Sequence, residues 1–389
     1  MPNPFFFSRH RALCFAVAGG AIGATAWNGR MYLLVVLLAL PLLLRYARCT
    51  QELIAAICAY HAGATWTLVP GAHVFFGHVF RPLDTLVLWG LAVLVLSLPW
   101  ALLRPLGPLR LGWGIPLALA VGLVLPTSIE SPLTIAGVIF PCTAWIGLGL
   151  TFLLFAMIAE MPKVALPSAL VLSFVCHVCA PGVPPPAKGW SGINTTFGGS
   201  GMDNVSPMRM YQDANSIQEQ ALESHARTVV FPESVVRRWN AMTDAFWEPT
   251  FDELRNNNRT LVVGATVTLP GWRRYSNVLM IRGAQTATFQ QREPVPYAMW
   301  HPISGEGTPF NMLGPSVIQI GDERVAPIIC YEELLGAPVL LSMLHHPTLL
   351  LAVANDYWAK GTFIGKLQDE SINAWSLLFW VPNVKAMNE

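Results

Sequence analysis

Three short segments carry groups able to do chemistry, and each closes an apolar, β-branched run of the kind that forms a buried strand. Val229-Val230-Phe231-Pro232-Glu233-Ser234 ends in a carboxylate just after a proline. Ala326-Pro327-Ile328-Ile329-Cys330-Tyr331-Glu332-Glu333 delivers a thiol into a turn ahead of a helical stretch, and Leu351-Ala352-Val353-Ala354-Asn355-Asp356-Tyr357-Trp358 ends in an amide and an acid. A cysteine at a strand-to-helix turn is open on one side and close to backbone N–H donors on the other. That placement suits thiolate attack on a carbonyl and binding of the resulting oxyanion. Cys330 has no second cysteine in residues 181–389 to form a disulfide with, so it is either inert core or a reactive thiol. The competing reading of Glu233 is an acid at a helix N-terminus, favoured by the dipole.

The elements that must position these groups are short. Strands are expected at 228–231, 261–267, 278–281, 325–329 and 349–353, and helices near 234–254, 332–344 and 365–379, which makes an α/β or α+β layered domain. That domain occupies only part of the chain. Of 389 residues, 53% are hydrophobic and 12% charged, and a soluble domain carries about twice that charge. An ordinary cytosolic protein is excluded. Residues 1–180 hold nine Lys/Arg and four Asp/Glu, whereas 181–389 hold fifteen and nineteen, so the halves carry +5 and −4. The overall charge of +1 points to no nucleic-acid partner.

Apolar runs at 13–27, 31–47, 52–70, 84–103, 111–126, 132–158 and 164–180 make seven candidate spans, the first and fifth short; six is the alternative, with the loop around His73, Phe75 and His78 partly re-entrant. With the N-terminus in the cytoplasm, Arg9, Arg11, Arg45, Arg48, Arg104, Arg110 and Lys163 lie inside and only Arg30 and Arg81 outside. Positive charge in short loops stays cytoplasmic, so this asymmetry supports an odd number of spans in a bacterial inner membrane, with the C-terminal domain periplasmic. The expected organisation is a transmembrane bundle over 1–180, a Pro-rich linker over 181–190 and the layered domain over 191–389. Glu52, Asp84 and Glu130 read as interfacial acids at span ends. Cys176 and Cys179 have CxxC spacing but no second ligand pair nearby, and no metal cluster or nucleotide loop is present.

In order along the chain, Gly192-Ile193-Asn194, Phe231-Pro232-Glu233, Leu261 to Ala265 with Tyr275-Ser276-Asn277, Ile329-Cys330-Tyr331-Glu332 and Asn355-Asp356-Tyr357-Trp358 resemble successive motifs of the nitrilase (carbon–nitrogen hydrolase) superfamily. The membrane bundle ahead of them resembles its apolipoprotein N-acyltransferase branch. Ala136-Gly137-Val138-Ile139-Phe140-Pro141 and Pro294-Val295-Pro296-Tyr297-Ala298-Met299-Trp300 are more similar to a subgroup, the nitrilase-like TraB conjugal transfer proteins of rhizobial and Ti-type plasmids.

The resemblance implies an αββα sandwich. It also implies a membrane-bound acyltransferase or amidase without cofactor, in which Glu233 is the general base and Cys330 the nucleophile that forms a thioester. The implied partners are membrane lipid, a protein or lipoprotein acyl acceptor, and other conjugal transfer proteins. Glu332 and Glu306 match accessory acids, and Asn355 and Asp356 lie in a shared segment. Two features depart from the pattern. The family lysine precedes a Leu-Val-Pro-like segment, and here Pro294-Val295-Pro296 follows Gln290, Gln291 and Arg292. Direct alignment puts Gln291 at that position and a one-residue gap puts Arg292 there. Arg292 is therefore expected to substitute for the lysine with its guanidinium in the cavity, Lys360 being the second choice, although a planar fork does not simply replace a point charge. Secondly, Pro382 to Asn388 resembles the strand before a final hairpin, and the chain stops at Glu389, so the domain reads as C-terminally truncated. Three functional classes follow: an enzyme, a catalytically weakened structural component of a transfer apparatus, and a transporter with an accessory domain.

Overall fold

The computed structural model describes residues 4–76, 81–101, 111–125, 129–197, 206–271 and 273–389. His78, Arg104, Arg110 and the end of the 111–126 run lie outside them. The chain divides into two compact units. The first takes in the residues up to Pro184 together with Leu334–Ala337 and Gly361–Trp380; the second comprises Pro185–Glu333, Pro338–Lys360 and Val381–Glu389.

The first unit is helical: α1 (Pro4–Ala26), α2 (Ala39–Arg45), α3 (Thr50–Thr65), α4 (Leu68–Phe76), α5 (Pro82–Ala101), α6 (Leu111–Val124), α7 (Ala136–Ile139), α8 (Ala144–Glu160) and α9 (Pro162–Cys179). Small residues let α1 and α3 touch backbone to backbone, as in helices packed within lipid. A Cβ at Gly19 would lie 2.1 Å from the Ala56 carbonyl oxygen, and one at Gly23 2.1 Å from that of Tyr60. Among the described residues, two helices are long and apolar enough to cross a membrane, Pro82–Trp100 and Pro162–Cys179. Thr50–Thr65 with Leu68–Phe76, bent by 56°, and Pro132–Ile139 with Ala144–Glu160, bent by 120°, raise the number to four if each pair is one span. Seven long spans are not found among the described residues. The run at 31–47 is split between a 3-10 segment, Met31–Leu38, and the short α2, and the run at 111–126 leaves only a short apolar helix, Gly112–Val124.

The second unit holds two sheets. One contains β1 (Trp190–Gly192), β2 (Thr228–Val230), β3 (Val236–Trp239), β4 (Thr260–Thr268), β5 (Tyr275–Gly283) and β6 (Ala287–Gln290), ordered β1-β2-β4-β5-β6 with β3 also on β4. The other contains β7 (Ile318–Ile320), β8 (Glu323–Ile329), β9 (Leu349–Asn355) and β10 (Asn383–Asn388), ordered β10-β9-β8-β7. Helices α10 (Pro207–Glu223) and α11 (Ala241–Asn256) share a core with the first sheet through Ile217, Trp247, Phe251, Val229, Leu261 and Val263. The alternate residues Val230 and Val262 face the other way, into a core with Ile329, Leu351 and Val353 of the second sheet. Successive strand side chains point to opposite faces, so strands buried on both faces read as continuous apolar runs. Helix α12 (Gly336–Met343) follows the cysteine turn, and α13 (Ile364–Phe379) packs on α7 in the first unit.

The mixed sheets and helices agree with the expected layered class, but α10, β6 and β7 have no counterpart among the expected elements, and one expected helix begins late. The stretch expected to be helical from 234 begins as β3, and the helix starts only after Asn240, whose side chain accepts from the Met242 and Thr243 N–H groups in a capping box.

One close approach positions the chemistry. Gly264 of β4 lies under the turn after β2, and its N–H donates to the Pro232 carbonyl at 3.1 Å. A Cβ there would lie 2.3 Å from that oxygen and 2.5 Å from the Glu233 Cα. Gly264→Ala is expected to destabilise the second unit by about 1–3 kcal/mol and to displace Glu233. A denaturant melt of the full chain in detergent measures the first effect, and a melt unchanged from wild type would show that the turn is not in contact with β4.

Candidate active site

Glu233 sits where the first sheet stops pairing. Phe231 donates to the Val262 carbonyl at 2.8 Å, Pro232 has no N–H to continue the ladder, and Ser234 takes a left-handed φ of +52°. The carboxylate is 4% exposed. Its Oε1 accepts from Asn277 Nδ2 and its Oε2 from the Asn355 backbone N–H at 3.1 Å. Asn277 also donates to Gln291 Oε1 at 2.9 Å and accepts from Ser234 Oγ at 2.9 Å.

Cys330 ends β8 and opens a 3-10 turn with φ +53°, a conformation uncommon for a residue with a Cβ. Its thiol hydrogen-bonds to Glu233. Residues 97 apart in sequence are thus joined at the strand ends, as a base and nucleophile must be. Burial pushes the thiol far above its usual range, with the negative charges of Glu233 and Asp356 adding to the effect. Burial also lifts Glu233, to about 7, against the lowering effect of donation from Cys330, Asn277 and Asn355, while Glu332 raises it further. The resting pair is a thiol facing a carboxyl group that titrates near neutrality. Thiolate forms only as Glu233 takes the proton.

Glu332 braces the turn. Fully buried, it accepts from the N–H groups of Arg292 at 2.7 Å and Glu293 at 2.9 Å on Oε1, and from Ile329 N–H at 2.9 Å on Oε2. These bonds fix the direction of the segment after β6. Gln291 turns to the site, its Oε1 accepting from Asn277 and its Nε2 donating to the Ile329 carbonyl at 3.1 Å. Arg292 lies in the bend that follows β6, and its side chain turns elsewhere. Its guanidinium donates to Ser316 Oγ at 3.1 Å and to the Pro338 carbonyl and Ser342 Oγ at 3.2 Å each, with Nε 4.0 Å from Glu332. The expectation that Arg292 supplies a cation beside Cys330 is therefore corrected: among the described residues, no contact ties it to Cys330 or Glu233. Lys360, the second choice, is exposed.

Asn355 meets Glu233 through its backbone. Its Oδ1 accepts from Asn388 Nδ2 at 2.7 Å, and Asn388 in turn accepts from Thr195 Oγ1 at 2.8 Å, so the last strand holds the Asn355 turn in register. Asp356 is buried and acts on Cys330 as a negative charge. Glu306 is half-buried in a loop and takes no described contact with the pair; its N–H donates to Ser304 Oγ at 3.4 Å. Two groups escaped the sequence reading. Asn277 appears there only as part of a hairpin segment, and the available signal was a strand amide amid apolar neighbours. Glu293, beside the Pro294-Val295-Pro296 segment, is buried and lifted to about 7 by burial and by Glu332, against Arg292. No group of three or more His, Cys, Asp or Glu able to hold a metal occurs among the described residues.

No family model matches the chain. It is 32% identical over 403 residues to the conjugal transfer protein TraB of Agrobacterium fabrum, covering 98% of this chain and 93% of that one. It is 31% identical over 397 residues to a probable conjugal transfer protein TraB of Sinorhizobium fredii, covering 96% and 97%. An apolipoprotein N-acyltransferase of Photobacterium profundum is 26% identical over 168 residues, 38% of this chain and 32% of that protein. Among solved structures, an amidase of the nitrilase superfamily from Nesterenkonia is similar with 11% identity and a TM-score of 0.37, over 53% of this chain and 79% of that one.

The pair's electrostatics predict a pH profile. Alkylation of Cys330 by iodoacetamide, followed on its own peptide by mass spectrometry, is expected to speed up as pH rises through about 7 and Glu233 becomes able to accept the proton. Glu233→Gln should remove that rise. Asn277→Leu, which deletes a donor to the charged form, should move it to higher pH. A rate at Cys330 indifferent to Glu233 across the neutral range would separate thiol from carboxylate.

Proposed function

This chain belongs to the TraB family of conjugal transfer proteins, and we propose that it is a membrane-bound acyltransferase or amidase of nitrilase type acting through a Cys330 thioester in the service of plasmid conjugal transfer. The observation that carries the reading is the hydrogen bond between the Cys330 thiol and a Glu233 carboxylate held by Asn277 and the Asn355 N–H. Glu233 takes the thiol proton as sulfur bonds to an ester or amide carbonyl carbon. Collapse of the tetrahedral intermediate breaks the bond to the leaving oxygen or nitrogen, which takes the proton back from Glu233. An amine or water then attacks the thioester carbonyl and gives its proton to Glu233; the C–S bond breaks, and Glu233 returns that proton to the departing thiolate to restore the thiol. Acyl chains come from membrane lipid in this reading, and the acceptor is a protein, lipoprotein or other component of the transfer apparatus. The second unit is taken as an αββα sandwich on the periplasmic side of a bacterial inner membrane, anchored by an odd number of spans.

A second reading has an observation of its own. Gln291 occupies the position that direct alignment gives to the family lysine, and its amide N–H is engaged by the Ile329 carbonyl. Loss of one oxyanion donor costs roughly 3–4 kcal/mol, which favours a weakened catalyst serving as a structural component.

Intact-mass analysis of the purified full chain separates the two. The enzyme reading expects an acyl adduct that vanishes in Cys330→Ala and forms about 10²–10⁴-fold more slowly in Glu233→Gln. It also expects Cys330→Ala to abolish plasmid transfer. An unmodified thiol together with undiminished transfer by Cys330→Ala would leave the structural reading. Topology is tested separately by a reporter fused after Lys188. The loop charges predict an extracytoplasmic signal, and a cytoplasmic one would exclude the odd span count.

A further inference from the structure

Of the acids that the sequence places at span ends, Glu52 pairs with Arg11 at 2.8 Å and Asp84 with Arg81 at 3.2 Å. Glu130 differs from both. It is 1% exposed, and among the described residues neither carboxylate oxygen has a hydrogen-bond partner. Its backbone is held in the left-handed region at φ +60°, with its N–H donating to the Leu334 carbonyl at 3.2 Å and its carbonyl accepting from the Tyr60 hydroxyl at 3.4 Å. Tyr60 is fixed in turn by donation from Trp27 Nε1 at 3.1 Å.

One residue further along α3, His61 is 5% exposed and its Nε2 has no partner. Glu130 and His61 line the same cavity of about 20 Å³, walled by Leu96, Trp100, Leu119 and Leu125. Such a space holds one water molecule, and a buried water needs polar groups to bond to, which these two side chains provide. The titratable groups facing Glu130 are Tyr60 and His61 from α3 and Glu370 from α13, the last acting as a like charge. Glu370 itself accepts from the Gly29 N–H at 2.9 Å on one oxygen and has no partner on the other. Among the described residues, no lysine or arginine acts on Glu130. Two carboxylates coupled through an apolar interior do not both ionise, and an unpaired buried carboxylate sheds its charge by taking a proton.

We propose that Glu130 and His61 form a proton-binding site in the helical unit, with one water in the cavity linking the protonated carboxyl to the imidazole Nε2. The carboxyl O–H donates to the water and the water donates to Nε2. The site takes a proton from water and is independent of the Cys330 chemistry.

Infrared spectroscopy of the full chain in lipid bilayers tests it. Wild type should show the C=O band of a protonated carboxyl at neutral pH that is lost in Glu130→Gln, a substitution that preserves volume and neutrality. The same band should disappear from wild type as pH is raised, and His61→Gln should shift that titration. Labelling glutamate with ¹³C moves the band in wild type and gives the assignment to glutamate without any substitution. Spectra of wild type and Glu130→Gln that agree throughout the titration would overturn the site, as would a titration indifferent to His61→Gln. Loss of the band at constant pH on adding sodium or potassium would also overturn it, since the occupant would then be a metal cation.

Discussion

A carboxylate removed from water persists as a base only where donors replace the water, and the rest of the second unit can be read as the means of holding three donors on Glu233. Asn277 comes from β5, the Asn355 N–H from the end of β9 and the Cys330 thiol from the end of β8. Those strands belong to two different sheets, so the site exists only because the sheets pack face to face through Val230, Val262, Ile329 and Val353. The apolar core is the device that brings a base and a nucleophile, distant in sequence, within one hydrogen bond. The same core keeps Glu233 near neutrality, since each donor lowers what burial raises.

Among the described residues no lysine acts on this pair, which changes more than one charge. A lysine there would favour both the thiolate and the ionised glutamate. Gln291 instead donates to the Ile329 carbonyl and accepts from Asn277, a neutral bridge that fixes the strand end and adds no charge to offset Glu332 and Asp356, which act on Glu233 and Cys330. Arg292, one residue on, is committed to Glu332, Ser316 and α12. Breaking such a buried pair leaves an uncompensated charge, so the arginine is held where it is by the cost of moving it. The positive charge near this site therefore stabilises the turn behind the nucleophile and not the reaction in front of it.

What the sequence made legible follows from periodicity and termination. Apolar β-branched runs ending in Glu233, Cys330 and Asn355 become strand ends because a two-faced buried strand has a one-line signature. The direction of Arg292 had no such signature. It depends on Glu332 accepting two successive N–H groups from 40 and 39 residues away, a tertiary contact that propensity cannot encode. β3 was hidden for a similar reason: it pairs with β4 across a turn, and the helix signal in 234–254 is genuine but begins only at the Asn240 cap. In the apolar half, composition identifies hydrophobic runs but not their bends, so among the described residues four of the seven runs become two long helices and two sharply bent pairs, and those at 31–47 and 111–126 give only shorter apolar helices.

Buried glutamates give a common scale for both units. Glu52 is neutralised by an arginine. Glu332 has Arg292 Nε at 4.0 Å but takes its hydrogen bonds from three backbone N–H groups, and its role is accordingly to brace. Glu233 accepts from two amide N–H groups and a thiol, and a thiol is a weak donor that also has a proton to give. Glu130 has none of these. As fixed donors and cations are withdrawn along this series, the free energy of the charged form rises and the proton becomes the partner of last resort. A carboxylate with fixed donors on every side builds structure, whereas one left short of donors exchanges protons. By that criterion Glu233 and Glu130, with Glu293 and Glu370, fall on the exchanging side, and Glu52 and Glu332 on the structural one.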